Sequence, residues 1–193
     1  MLWGGSLPPI VDELDLNVAF RLSCAVILGA LLSAGARAQT TDEYRVKAVF
    51  LYNFAKFLEW PPQAFKSPSD PIVIGVLGKD PFGGALVSAT AGKTLDGRGF
   101  QVREVADAQQ AAQCQILFIS SSERKRLGAV FAEIGSLAIL TVGETDNFTS
   151  EGGDVNFKIR GGTVGLQINV EAARKQQLHI SAKLLSLAEI VGK

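Results

Sequence analysis

The residues "PIVIGVLGKDPFGGAL" at 71–86 carry the first hint of chemistry. An apolar run breaks at Gly78 into Lys79, Asp80, Pro81 and the pair Gly83-Gly84, much as a phosphate-binding loop begins. A loop of that kind needs four residues between its first glycine and the Gly-Lys pair, then Ser or Thr to hold magnesium. Here only two residues separate Gly75 from Gly78, and Asp80 follows Lys79, which puts a negative charge where phosphates would sit. The G-x-G-x-x-G fingerprint is missing as well. The stretch therefore reads as a strand-to-helix turn, with Asp80 as cap and Pro81 at the first helical position.

Other residues with reactive side chains are equally isolated. "EGGDVNF" at 151–157 shares Gly-Gly-Asp with the Gly-Gly-Asp-Glu-Phe signature of diguanylate cyclases, but Val155 and Asn156 stand where the glutamate and phenylalanine belong. It reads as a glycine turn into a strand. Nucleophilic catalysis needs an activated Ser or Cys near a base, and the single histidine, His179 in "QLHIS", has the apolar setting of a hydrogen-bonded structural residue. No Cys/His cluster has metal-ligand spacing. Asn147-Phe148-Thr149 matches a glycosylation sequon, which carries no catalytic chemistry. The reading is a non-enzyme with no metal and no cofactor. What remains is a set of polar residues in apolar settings: Asn53, Lys56, Glu59 and Trp60 on or beside an aromatic helix, Arg160 in a hairpin turn, and Asn169 after the second hairpin strand. Of these, Asn53, Lys56, Trp60, Arg160 and Asn169 form the candidate partner- or ligand-binding surface, because Arg and Trp are enriched where interfaces concentrate their energy.

The elements that must position these residues follow from periodicity. Tyr44, Ala48, Leu51, Ala55 and Leu58 recur at helical spacing, with Phe50, Phe54 and Phe57 widening the apolar face. Thr40 and Glu43 have capping-box spacing, and Pro61-Pro62 are expected to stop the helix just after Trp60. Strands are expected at 72–77, 100–105, 116–119 and 137–142, and helices at 81–88, 107–112 and 122–134, the last opened by the serines at 120–122. "VNFKI" and "VGLQI" flank Arg160-Gly161-Gly162-Thr163 as a hairpin. "VEAARK" and "AKLLSLAEIV" close the chain as two helices, the second with Leu184, Leu187, Ala188 and Val191 as its stripe. The expected fold is α/β, a three-layer sandwich with a mostly parallel central sheet flanked by helices, plus a C-terminal β-hairpin.

The 193 residues are 47% hydrophobic and 20% charged, as in an ordinary globular chain, and 19 basic residues balance 19 acidic ones, which points away from nucleic acid. Residues 1–38 read as an N-terminal extension plus signal peptide, and 39–193 as one domain. The apolar segment from Leu22 to Ala34 is 13 residues long, short of the ~20 that a spanning helix requires. Ala36-Arg37-Ala38 follows as a small-x-small site, so cleavage is expected after Ala38, giving a periplasmic protein with no membrane insertion afterwards. Asp12, Glu13 and Asp15 make the preceding stretch acidic, which a start codon assigned too far upstream explains. Cys24 precedes rather than follows the apolar run, so it is not a lipidation site. Cys114, the cysteine beyond Ala38, heads "CQILFI" and is expected to be buried, with an intermolecular disulfide as the other option.

"YRVKAVFLYNFAKFLEWP", "IVIGVLGKDPFG", "CQILFIS" and above all "GGTVGLQINVEAARKQQLHISAKLLSLAEIV" resemble the YfiR family, also called YfiR/HmsC-like, from Tyr44 to Val191. The resemblance implies a periplasmic α/β protein without enzymatic activity that inhibits an inner-membrane diguanylate cyclase by binding the cyclase's periplasmic part, lowering cyclic di-GMP and biofilm formation. It also implies homodimers. Disulfides support some members, and Cys114 has no partner of that kind here. The alternative carried with it is a periplasmic small-ligand receptor feeding another sensor, with the turn at 78–84 forming the pocket.

Overall fold

The structure is a computed structural model that describes residues 41–192. The expected leader, its cleavage site after Ala38, Cys24 and the capping box at Thr40 lie outside the described residues. Helix α1 covers 41–54, and its apolar spacing does what the periodicity predicts: Ala48, Leu51 and Phe54 are fully buried against the sheet. The helix ends earlier than Pro61-Pro62 would place it. After Phe54 the chain tightens into a 3-10 turn at Ala55–Phe57 and turns extended as β1, Leu58–Glu59. β1 pairs antiparallel with β9, His179–Ile180, and Ser181 N–H donates to Phe57 O at 2.9 Å. Leu58 fits the helical stripe, but a strand partner more than a hundred residues away in sequence captures it instead.

Eight strands form the main sheet, in the order β10-β8-β7-β6-β5-β2-β4-β3. They are β2 (Ile72–Leu77), β3 (Thr94–Leu95), β4 (Arg98–Val105), β5 (Ile116–Ile119), β6 (Leu140–Gly143), β7 (Val155–Arg160), β8 (Thr163–Asn169) and β10 (Ala188–Val191). Pairs β4/β2, β2/β5, β5/β6, β6/β7 and β8/β10 are parallel, while β7/β8 and β3/β4 are antiparallel. Every residue of β2, β5 and β6 is buried, as continuous apolar runs in a parallel sheet require. One apolar cluster unites Leu51, Phe54, Ile74, Phe118, Phe157 and Leu184; a second unites Leu77, Leu117, Leu127, Val130 and Phe148. α1, α2 (Ala85–Thr90) and α6 (Ala182–Leu185) contribute to the first, and α3 (Ala108–Ala111) and α4 (Leu127–Ile134) to the second. The fold is thus the expected α/β sandwich, with the β7–β8 hairpin built into the sheet rather than appended to it.

Several local readings are corrected. The helix expected at 81–88 starts at Ala85, because Gly83 and Gly84 take φ of 55° and 88°, which no helix contains. Asp80 instead closes a turn by accepting from Phe82 N–H at 2.7 Å. The helix at 122–134 begins as a 3-10 turn, Ser121–Arg126, before becoming α4. "AKLLSLAEIV" is not one helix. Only α6 is helical, and the rest becomes β10, where Ala188 and Ile190 align with Leu166 and Ile168 of β8. That segment alternates as well as it spirals, and the free edge of β8 offers it backbone partners; Leu187, placed on the expected stripe, is 65% exposed. Among the described residues, no helix is long and apolar enough to cross a membrane.

Candidate functional site

The five candidate residues fall in four places. Lys56 and Asn53 lie at the end of α1, Lys56 exposed with its ammonium 4.3 Å from the centre of the Tyr52 ring. That ring meets Phe100 of β4 edge-on at 5.1 Å. Trp60 lies just past β1, half-buried against Phe65, and its indole N–H donates to Gln115 O at 3.3 Å. Arg160, at the hairpin tip, pairs with Glu189 Oε2 at 2.6 Å in an exposed position. Asn169 caps α5 (Val170–Lys175): its Oδ1 accepts from Ala172 N–H at 3.0 Å and its Nδ2 donates to Thr149 O at 2.9 Å. Glu59 is exposed, its register partner in β9 being His179.

Among the described residues, the reactive groups do not converge on one centre. His179, read from its apolar neighbours as a hydrogen-bonded structural residue, is exposed. Cys114 is 3% exposed, and burial pushes its thiol up to about 11 despite the opposing Arg103 charge. Among the described residues no group of three or more His, Cys, Asp or Glu is placed to hold a metal ion. At the carboxyl ends of β2 and β5, where the strand order reverses and α/β sheets bind ligands, Gly78 packs directly on Ser122 and Glu123, and Lys79 N–H donates to Ser122 Oγ at 3.0 Å. A crevice of about 410 Å³ remains beside that turn, bordered by Glu104, Glu123 and Arg126.

Two buried polar clusters escaped the sequence reading. Lys47 sits on the inner face of α1, with its side chain 3% exposed, and its ammonium bonds Glu144 Oε2 at 2.7 Å and also pairs with Glu43. Tyr44 O–H donates to Glu144 Oε1 at 3.1 Å, and burial and the nearby Glu144 carboxylate push the phenol's titration upward. The available signal was a lysine inside the Tyr44-Ala48-Leu51 stripe. The second cluster surrounds Asp154, which is 0% exposed. Thr141 donates to Asp154 Oδ2 from its backbone N–H at 2.8 Å and from its hydroxyl at 2.7 Å. Gln176, oriented so that its amide nitrogen faces two acceptors, donates to the same oxygen at 3.1 Å and to Ile139 O. Among the described residues, none donates to Asp154 Oδ1. Gly-Gly-Asp is therefore the predicted glycine turn, with the aspartate turned into the core.

Outside the core, the face of α1 that turns away from the sheet exposes Val46 and Val49 by 45% and 49%, and Ile159 beside Arg160 is 48% exposed.

No curated protein matches the chain. One solved structure, titled "The Crystal Structure of the ABC domain in complex with L-Trp from Streptococcus pneumonia", aligns with a TM-score of 0.49 at 12% identity, over 74% of this chain and 59% of that one. The chain thus spans less than two thirds of that protein's length. The family model described as YfiR/HmsC-like matches residues 44–189. That span opens at Tyr44 and closes at Glu189, taking in the sheet from β2 through β8, so the chain belongs to the YfiR/HmsC-like family.

Proposed function

We propose that the chain is an exported, non-enzymatic regulator that binds the periplasmic part of an inner-membrane diguanylate cyclase and holds the cyclase in check, lowering cyclic di-GMP and biofilm formation. The observation that carries this reading is the family match across residues 44–189. Export with cleavage after Ala38 and homodimerisation belong to the same proposal. Binding alone accomplishes inhibition: a partner that prefers one cyclase conformation 100-fold shifts the equilibrium by ~2.7 kcal/mol. The proposed contact surface combines the outward face of α1 and its end, with Asn53, Lys56 and Trp60, and the hairpin tip at Arg160; Asn169 contributes by holding α5. The test is a crosslink in intact cells. The tagged protein is exported, crosslinked, and its inner-membrane partners are identified by mass spectrometry. Recovery of a cyclase with a periplasmic segment, together with a rise in cyclic di-GMP on gene deletion, supports the reading, and deletion without effect on cyclic di-GMP or attachment sinks it.

The crevice of about 410 Å³ beside Gly78 favours a second reading, a small-ligand receptor feeding another sensor. Thermal-shift screening with periplasmic metabolites separates the two, because a pure protein-binding module shows no ligand-dependent shift.

A further inference from the structure

A crevice of about 390 Å³ lies at the amino-terminal ends of β2 and β5, the opposite end of these strands from Gly78, and Lys66, Asp70, Arg103, Gln113 and Gln115 are among the residues that line it. Its hydrogen-bond inventory is lopsided. The acceptors are used internally: Gln115 Oε1 accepts from Val73 N–H at 2.8 Å, Gln113 Oε1 from the Arg103 guanidinium at 3.1 Å, and Asp70 Oδ2 from the backbone N–H groups of Lys66 and Ser67 at 2.8 and 2.9 Å. Ala64 O accepts from Gln115 Nε2 at 2.8 Å. The charged donors are not used in this way. Among the described residues, neither Lys66 nor Arg103 has a carboxylate within ion-pair distance.

Arg103 is nevertheless held in place, because its guanidinium donates to Gln113 Oε1 and, at 2.7 Å, to Gln101 Oε1. Neutral amides fix the direction of the fork without cancelling its charge, and they leave N–H groups to spare for a planar oxyanion. The charge reaches the neighbouring Cys114, where burial pushes the thiol up and Arg103 opposes that shift. Lys66 stands on a loop that is equally fixed. Asp70 closes the loop through its two backbone bonds, and Arg98, stacked 3.8 Å from the centre of the Phe65 ring, donates to Ser67 O and Asp70 O at 2.9 and 2.7 Å. Arg98 thereby brings a further positive charge to the segment that carries the acid of this group, Asp70. Lys66 and Arg103 are exposed, so a ligand can exchange without any opening of the fold. We propose that this crevice binds a small molecule bearing two oxyanion groups, a dicarboxylate or a phosphorylated metabolite, with one group on the Arg103 fork and the other on the Lys66 ammonium. Binding here depends neither on a cyclase partner nor on the crevice beside Gly78. The site shares Gln115 with Trp60, whose indole N–H donates to Gln115 O, so an occupant adjoins a residue of the proposed contact surface.

Amide chemical-shift titration of the full chain with succinate and with pyrophosphate, at constant ionic strength and with acetate as the single-group control, tests this. Saturable shifts confined to residues 63–70, 103 and 112–115 are expected, with acetate weaker by at least about tenfold. Arg103→Gln and Lys66→Gln are each expected to weaken binding about tenfold, the scale of one charge-assisted hydrogen bond. Lys93→Gln, which removes a cation outside the crevice, is expected to leave binding unchanged. Absence of saturation by either probe, shifts spread over the whole surface, or equal weakening by Lys93→Gln overturns the site. Vesicles of phosphatidylglycerol distinguish the sources of a phosphate. Co-sedimentation that Arg103→Gln abolishes assigns the oxyanion to a lipid headgroup and overturns the small-molecule ligand, whereas saturation by the free ions without co-sedimentation upholds it.

Discussion

Lys47 Nζ lies 2.7 Å from Glu144 Oε2, and both side chains are nearly excluded from solvent, at 3% and 7% exposure. The pair joins the first turns of α1 to the end of β6 and is completed by Glu43 and by the Tyr44 hydroxyl. Its register sets where α1 lies across the sheet, and with it the placement of the proposed contact face.

Breaking one side of this pair strands a buried charge, which costs about 3–5 kcal/mol, whereas replacing both partners with apolar groups is close to neutral. Lys47→Met is therefore expected to lower the urea midpoint sharply, and Lys47→Met combined with Glu144→Leu to restore most of it. A double variant as unstable as the single one would show that the pair is not the source of the loss.

Phe148 is wedged between the Cα atoms of Gly143 and Gly153, where an added Cβ on either glycine meets the ring. Gly153→Ala is expected to destabilise by about 1–3 kcal/mol through overpacking. Phe148→Leu introduced alongside should relieve part of that loss, as read by thermal unfolding.

Asp154 also sets a sign for global stability against pH. Its folded value of about 7 lies above its ordinary 3.8, so the folded state binds the proton more tightly than the unfolded chain. The contribution is fully present below about pH 4 and is lost as pH rises through about 7, on the order of 4 kcal/mol in all. Urea titrations should show stability falling from pH 5 to pH 8 in the wild type and a flatter profile in Asp154→Asn.

Asn169→Ala removes the cap of α5 and the bond to Thr149 O. A loss of about 1 kcal/mol is expected, with Asn169→Asp retaining the cap and part of that stability. Equal stability of Asn169→Ala and wild type in the same denaturation assay would leave the cap without energetic weight.

Arg160→Glu reverses a charge whose only described ion-pair partner, Glu189, is exposed. Unfolding free energy should change by less than about 0.5 kcal/mol, while recovery of the membrane partner in the crosslink drops if the hairpin tip is in the interface. Undiminished recovery places the interface elsewhere, with Val49→Asp on α1 the next variant to examine.

Much of the fold was legible from local pattern. β2 and β5 are continuous apolar runs, and the β7–β8 hairpin alternates around Gly161-Gly162, so local pattern alone specifies them. β10 was not legible, because "LAEIV" satisfies both a helical and an alternating period and only the open edge of β8 selects between them. The same holds for Leu58, which belongs to a helical stripe until β9 arrives. Of the candidate site residues, Asn169 was recognisable as polar in an apolar setting, but its capping role depends on where α5 begins.

Residue order by itself determined the alternation of strands and helices, the solvent-averse centre of the sheet, the absence of a phosphate-loop spacing at Gly78 and the family resemblance, since each rests on neighbours within a few positions. Tertiary structure alone decided that Lys47 meets Glu144 across 97 residues, that Asp154 turns inward beneath Gln176, and that His179 turns outward. Charge and burial are properties of an environment assembled from distant segments, and an ionisable side chain acquires its energy only when that environment closes around it.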